Sequence, residues 1–503
     1  MALQTRAEAT SYRETSLHAH VMAFLAGLAG RNDRRFQLSS FGTSPGGRDM
    51  PLCVLSAQGI RTPGESRRRG LPIVLVINGI HAGEVEGKES SMMLMRDLLD
   101  GMDEGLLGEL TLVVVPLFNP DGNDAVDPAN RRLDLPRLHG QIGPELVGTR
   151  VNASGINLNR DYLRQAAPEM RLLQSRVVQV WQPDLTIDCH ATNGSVHRYD
   201  MTYDVPHTVA TGREEPIAYM RTKMMPAVTA ALASQHGVAA GWYGNFVEDE
   251  RALDAGRDAD PSGPVTEGWM TYTHHPRFGS NYRGLTGRLD LLLECYSYLP
   301  FADRVRTTYA CLLEALRYAA KEREEITQLV LASRAPRGRM AIRYRLDAFD
   351  DVVEVPTRTP RTPDGIPTTT AVRYFGKFVG TTVVQRPPAY VVDDKMAAHL
   401  ERHGLTVEAT PDEIDAEVAT VVEIASEGGR KILESAAVGD LRVEWKRGAR
   451  QVAPGSKLVR TDQPLAAIAV YLCEPESDDG AIENGLVAAP AVGDEFPIWR
   501  AWP

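Results

Sequence analysis

His81-Ala82-Gly83-Glu84 follows directly on the apolar run Ile73-Val74-Leu75-Val76-Ile77-Asn78-Gly79-Ile80. A histidine and a glutamate three residues apart, at the mouth of a buried strand, can close on one metal ion, and the glycine between them lets the backbone bend tightly. A second histidine ends another apolar run, Leu185-Thr186-Ile187-Asp188-Cys189-His190, and a carboxylate ends a third, Leu289-Asp290-Leu291-Leu292-Leu293-Glu294. Two histidines and a glutamate around an open fourth position, with a further carboxylate as base, is the layout of a catalytic zinc hydrolase. Taken alone, His81-x-x-Glu84 also reads as a surface loop feeding a helix, with Glu84 favoured by the helix dipole. A Gly/Asn-rich stretch, Arg150-Val151-Asn152-Ala153-Ser154-Gly155-Ile156-Asn157-Leu158-Asn159-Arg160-Asp161-Tyr162, adds two arginines. Arginine grips carboxylates in a bidentate fork and stabilises an oxyanion without titrating. One arginine for each task is what an exopeptidase needs.

Those side chains need a scaffold. From residue 71 the pattern predicts strand 73–78, a helix over roughly 84–100, strand 110–115, a long loop from 118 to 158, and helix 162–181. Strand 185–189, a helix over roughly 214–235, strand 289–295 and helix 302–325 follow. Strands that are apolar throughout and separated by helices predict an α/β fold, a mixed and mostly parallel sheet flanked by helices. Sites in such folds lie beyond the carboxyl ends of strands, where His81, His190 and Glu294 fall. Asp188 shares a face with His190, so it is placed to support the site, whereas Cys189 points the other way as a small core residue. Near the N-terminus a helical pattern over 16–28 precedes a strand and a turn-rich stretch, and Arg67-Arg68-Arg69 reads as a solvated loop. Beyond residue 333 the chain turns rich in Thr, Val, Pro and Gly, with strand-like runs at 371–375 and 466–472. The expected organisation is a catalytic domain over 1–333 and a mainly β accessory domain over 334–503 with little helix.

At 503 residues the chain is long enough for two or three domains. Its hydrophobic and charged fractions, 43% and 24%, are ordinary for a globular protein. A net charge of −11 argues against a nucleic-acid partner. Five cysteines without a C-x-x-C pair read as free thiols in a reducing compartment. The N-terminus shows no apolar signal core and no stretch is long enough to span a bilayer, so no membrane partner and a cytoplasmic location are expected. None of these counts sets the oligomeric state.

The set His81-x-x-Glu84, Asn119-Pro120-Asp121-Gly122, Arg150-x-Asn152-x-x-Gly155-x-x-Leu158-Asn159-Arg160, Asp188-x-His190 and Gly284-Leu285-x-x-Arg288-x-x-x-Leu292-x-Glu294 resembles the zinc carboxypeptidase family, the funnelins. The resemblance runs in order over roughly residues 40–325. It implies that His81, Glu84 and His190 hold one zinc ion per chain and that Glu294 is the general base. It further implies that Arg150 holds the tetrahedral oxyanion and that Asn159 and Arg160 hold the terminal carboxylate of the substrate. The family's tyrosine that folds over the substrate falls, by spacing from Glu294, on Tyr272, with Tyr282 second. One departure stands out: where the family often has an aspartate bonded to the first histidine, this chain has Asn157, which still accepts a hydrogen bond but adds no charge. The implied activity is removal of a C-terminal residue from a small peptide or peptide-like conjugate. Gly79-Ile80-His81 and Asp188-Cys189-His190-Ala191-Thr192 also resemble the aspartoacylase and succinylglutamate desuccinylase branch, whose enzymes act on acyl amino acids. A non-catalytic zinc-binding or scaffolding protein is the remaining alternative. His274-His275, His197-Arg198 and Trp242-Tyr243-Gly244-Asn245-Phe246 read either as site walls or as structural residues.

Overall fold

The computed structural model describes residues 3–249, 267–425 and 440–503. Its centre is an eight-stranded mixed sheet in the order β1-β2-β4-β3-β5-β10-β6-β7. These strands are β1 Phe36–Thr43, β2 Asp49–Leu55, β3 Ile73–Asn78, β4 Thr111–Val115, β5 Leu185–Thr192, β6 Met201–Asp204, β7 Ala240–Trp242 and β10 Leu289–Tyr296. The four central strands β4, β3, β5 and β10 run parallel, while β1, β2 and β6 join antiparallel. Parallel neighbours need covered crossovers, and helices Glu86–Leu99 and Phe301–Lys321 supply that cover.

Alternation along the strands decides which side each residue serves. In β3, Val74 and Val76 join one core while Ile73, Leu75 and Ile77 join the other. In β5, Leu185, Ile187 and Cys189 enter the first of these, and in β10 so do Leu289, Leu291, Leu293 and Cys295. Each such aliphatic side chain contributes roughly 1.5–3 kcal/mol through burial. The opposite face carries Asp188, His190, Asp290, Leu292 and Glu294. That face is covered by the C-terminal region: Met340, Tyr344, Tyr390, Leu400 and Ile468 share one core with Ile73, Ile77 and Leu158.

The C-terminal region contains the long hairpin β11 (Arg339–Thr359) and β12 (Ile366–Gln385). A six-stranded sheet follows, in the order β14-β17-β13-β18-β15-β16. Its strands are β13 Ala389–Val392, β14 Glu408–Ala409, β15 Glu413–Ala425, β16 Asp440–Gln451, β17 Lys457–Arg460 and β18 Trp499–Trp502. The hairpin also pairs with residues before 333, because β12 runs parallel to β9 (Trp269–Met270), which pairs in turn with β8 (Asn245–Phe246). A shared core and a shared sheet therefore cross the boundary expected at 333/334.

Two local expectations need correction. Residues 466–472 form a helix, Ala466–Cys473, buried on every side; an apolar run buried all round carries no periodicity to separate helix from strand. A second short helix, Asp394–Arg402, is N-capped by Asp393, and the C-terminal region is mainly sheet with little helix, as expected. Arg67 and Arg68 end a short helix, Pro63–Arg68, and Arg67 is paired with the buried Asp184 at 2.5 Å instead of lying in a solvated loop. All five cysteines are free and buried. Among the described residues no helix is long and apolar enough to cross a membrane.

Candidate functional site

β3 ends at Asn78, and Gly79 takes φ +68°, a left-handed conformation open to glycine. The chain then turns, with the Glu84 amide donating to the His81 carbonyl at 3.0 Å, just ahead of helix Glu86–Leu99. A Cβ on Gly83 would lie 2.7 Å from the Gly148 carbonyl oxygen, so glycine is needed where the long loop crosses the turn. His190 projects from β5, and the parallel register places Glu294 of β10 directly beside it.

The sequence-derived ligand set converges. His81 Nδ1 lies 3.2 Å from Glu84 Oε1, and His190 Nδ1 lies 3.0 Å from Glu84 Oε2 and 3.2 Å from His81 Nδ1. For a tetrahedral zinc with bonds of 2.0–2.1 Å, donor atoms sit about 3.4 Å apart. The three residues are 4%, 5% and 3% exposed, so the donors meet in a nearly dry pocket. Each histidine's other nitrogen faces an acceptor: His81 Nε2 donates to Asn157 Oδ1 at 3.2 Å, and His190 Nε2 lies 3.2 Å from Asp188 Oδ1. With a proton on each Nε2, both neutral imidazoles can offer an Nδ1 lone pair beside the Glu84 carboxylate. A cation bound there would displace the proton that Glu84 and Asp188 favour on His190 and take two nitrogens and one carboxylate oxygen as ligands. The donor set therefore fits zinc, and Asn157 backs His81 as a neutral acceptor.

The surrounding charges divide the acids. Burial works against the Glu84 anion, yet the Arg131 guanidinium and the hydrogen bond from His190 hold its carboxyl well below the usual range. Burial opposes the His190 cation, but the carboxylates of Asp188 and Glu84 push that imidazole up to about 10. Burial and the neighbouring Arg150 push His81 down to about 3. Glu294 goes the other way: burial, aided by Glu84, raises it above the usual carboxylate range against the pull of His190 and Arg150. Two adjacent carboxylates pushed apart in this way suit one to ligation and the other to proton transfer.

Arg150 Nη1 lies 3.2 Å from His81 Nδ1 and 3.5 Å from Glu84 Oε1, with its side chain 48% exposed. Arg160 ends the turn Leu158–Arg160, and its guanidinium stacks 3.6 Å over the Phe278 ring. Asn159 Oδ1 accepts from the Gly279 amide at 2.9 Å. Tyr272 is buried, its ring 4.6 Å from His207, 5.6 Å from Phe278 and 5.8 Å from Tyr243. Tyr282 does not fit the substrate role expected of it: its hydroxyl meets His403 Nδ1 at 2.8 Å and its ring packs on Tyr162, inside the core shared with the C-terminal region.

Several other sequence candidates are packed into the interior. His197 stacks 4.1 Å from Tyr296 and beside Trp269, and the Arg198 amide donates to the Pro356 carbonyl. Trp242 and Phe246 pack around Trp269. His274 and His275 are fully buried and, with Asp478, form a second histidine–acid group among the described residues. There, however, the carboxylate already accepts from Tyr471 OH at 2.5 Å, His274 Nε2 at 2.8 Å and the Tyr344 amide at 3.2 Å.

Sequence reasoning missed Arg131. Its Nη1 donates to Glu84 Oε1 at 3.0 Å, Nε to Gln141 Oε1 at 2.6 Å, and Nη2 to Ser297 Oγ at 3.0 Å, from a backbone at φ +49°. It lies in the loop between β4 and β5 with no spacing to any motif, so nothing in the chain order pointed to it. Arg283 was missed too; it bridges Asp188 at 2.8 Å, Asp290 and Tyr162 OH beneath the site.

Residues 21–207 match the family model described as zinc carboxypeptidase, a stretch that contains His81, Glu84, Arg150, Arg160 and His190. Carboxypeptidase 2 of Trichophyton rubrum is 22% identical over 479 residues, covering 90% of this chain and 80% of that protein. Carboxypeptidase 2 of Trichophyton tonsurans is 22% identical over 487 residues, with the same shares. Among solved structures, a metallo-carboxypeptidase from Burkholderia cenocepacia aligns at TM-score 0.40 and 18% identity, over 60% of this chain and 69% of that one. One from Pseudomonas aeruginosa aligns at TM-score 0.40 and 18% identity, over 61% and 68%. Residues 21–207 thus match a zinc carboxypeptidase model and carboxypeptidase relatives align along most of the chain, which supports a hydrolytic enzyme.

Proposed function

We propose that this enzyme removes the C-terminal residue from a small peptide or peptide-like conjugate, with one zinc ion held by His81, Glu84 and His190. The observation that carries the reading is the convergence of those three donors beside Glu294 on adjacent parallel strands. Bound there, zinc would supply a Lewis acid and lower the pKa of water. Glu294, kept basic by burial, takes the proton of the attacking water and passes it to the leaving amine. Arg150, exposed at the mouth of the cluster, faces the developing oxyanion. Arg160 and Asn159 receive the substrate's free carboxylate, which restricts cleavage to the chain end. Tyr272 closes over the bound residue. The free buried thiols support a reducing, cytoplasmic setting.

The test is to incubate the zinc-loaded protein with short peptides and N-acyl amino acids and to read the products by mass spectrometry. Loss of single C-terminal residues, blocked by C-terminal amidation, is expected. Release of acyl groups from acyl amino acids, with peptides untouched, would move the enzyme to the deacylase branch.

A further inference from the structure

The C-terminal region reaches the proposed carboxylate pocket through one tight turn. Asp479 is fully buried and accepts three hydrogen bonds from Arg277, from the amide at 2.8 Å, Nε at 2.8 Å and Nη2 at 2.5 Å. Asn484 Nδ2 holds the same carboxylate from behind at 3.0 Å. The preceding Asp478 takes His274 Nε2 at 2.8 Å. Two consecutive aspartates therefore pin the segment 274–277 to the C-terminal region. The next two residues are those that touch the pocket: the Phe278 ring lies under the Arg160 guanidinium, and the Gly279 amide donates to Asn159 Oδ1. The Arg277 carbonyl itself accepts from the Tyr162 amide at 3.4 Å, two residues beyond Arg160.

We propose that Asp479 is a positioning residue for substrate recognition: by holding Arg277 it sets Phe278 and Gly279, and through them the orientation of Arg160 and Asn159. A buried, multiply bonded ion pair adds little net stability but fixes one geometry, and small displacements of a binding group have large kinetic effects. The C-terminal region is then a working wall of the active site and not an appendage. This inference rests on the carboxypeptidase reading above.

The experiment uses the full-length, zinc-loaded protein and Asp479→Asn. On peptides with a free C-terminal carboxylate, KM should rise between about 10- and 100-fold, the scale on which a displacement near 1 Å acts, with kcat and zinc content held. In the double variant with Arg160→Ala, the KM effect should not add to that of Arg160→Ala alone, because both act on one contact. Arg277→Lys, which keeps the charge but loses the fork, should give an intermediate rise and serves in place of Asp479→Asn should that variant not fold. An unchanged KM in a folded variant, or fully additive effects, would overturn the proposal. Amide hydrogen exchange gives a readout independent of turnover: Asp479→Asn should loosen residues 157–162 as well as 273–284, and protection of 157–162 equal to that of the unaltered protein would also overturn it. Wild-type turnover indifferent to the substrate carboxylate would instead count against the carboxypeptidase reading, while hydrogen exchange would still decide whether the lock exists.

Discussion

Among the described residues two clusters each join two histidines and one acid, His81–Glu84–His190 and His274–His275–Asp478, and they are built for different work. In the first, the outer nitrogens of both histidines face Asn157 and Asp188, so both inner nitrogens turn towards the same glutamate and towards each other. In the second, His274 turns its Nε2 to Asp478, which a tyrosine hydroxyl and a backbone amide also meet, and the group reads as a hydrogen-bonded support. Residue type alone does not make a metal site. The partner of the far nitrogen decides whether an imidazole offers a lone pair or a proton.

The largest test of that contrast is Glu294→Gln. It keeps the proposed ligand set and removes the proton acceptor, so kcat should fall on the order of 10²- to 10⁴-fold while zinc stays bound. Steady-state kinetics beside elemental analysis checks this, and near-normal turnover would remove Glu294 from its role. Next comes Arg150→Ala, for which a loss of roughly 10²- to 10³-fold in kcat is expected if it faces the oxyanion. A change confined to KM would reassign it to substrate binding. The contrast is sharpened by changing only the outer partners. Asp188→Asn should weaken zinc binding about 10- to 100-fold, read by chelator competition, while Asn157→Asp should strengthen it by adding charge behind His81. No effect from either would mean that the far nitrogens do not set the site.

The smallest effect belongs to the second cluster's surroundings. Burial, with Asp479 and Asp478 nearby, pushes the Glu483 carboxyl up to about 7. Because the folded value exceeds the unfolded one of about 4.3, the folded protein binds more protons between the two, and stability falls as pH rises through that window. Glu483→Gln should therefore leave the melting temperature near pH 4 unchanged and raise it modestly at pH 8. Parallel melting curves at all pH values would contradict the burial effect.

The two clusters also differ in how much of them could be read from sequence. The first lies at the ends of β3, β5 and β10, whose apolar runs and period-two alternation mark both the strands and the faces of Asp188, Cys189 and His190. The central sheet was legible for the same reason. The second joins residues about two hundred positions apart, and no local pattern carries such a contact. Arg131 and Arg283 were invisible likewise, because their meaning comes from the carboxylates they meet across the fold. The helix Ala466–Cys473 was misread since a segment buried on all sides shows no period. Composition changes at 333, while one hydrophobic core draws on residues from both sides of that position.

The most direct measurement is the zinc content per chain of the wild type, His190→Ala and Asp478→Asn, by native mass spectrometry after mild dialysis. The account predicts one ion, none and one, respectively. Two ions in the wild type, or a loss of zinc in Asp478→Asn with retention in His190→Ala, would contradict the assignment of the metal centre.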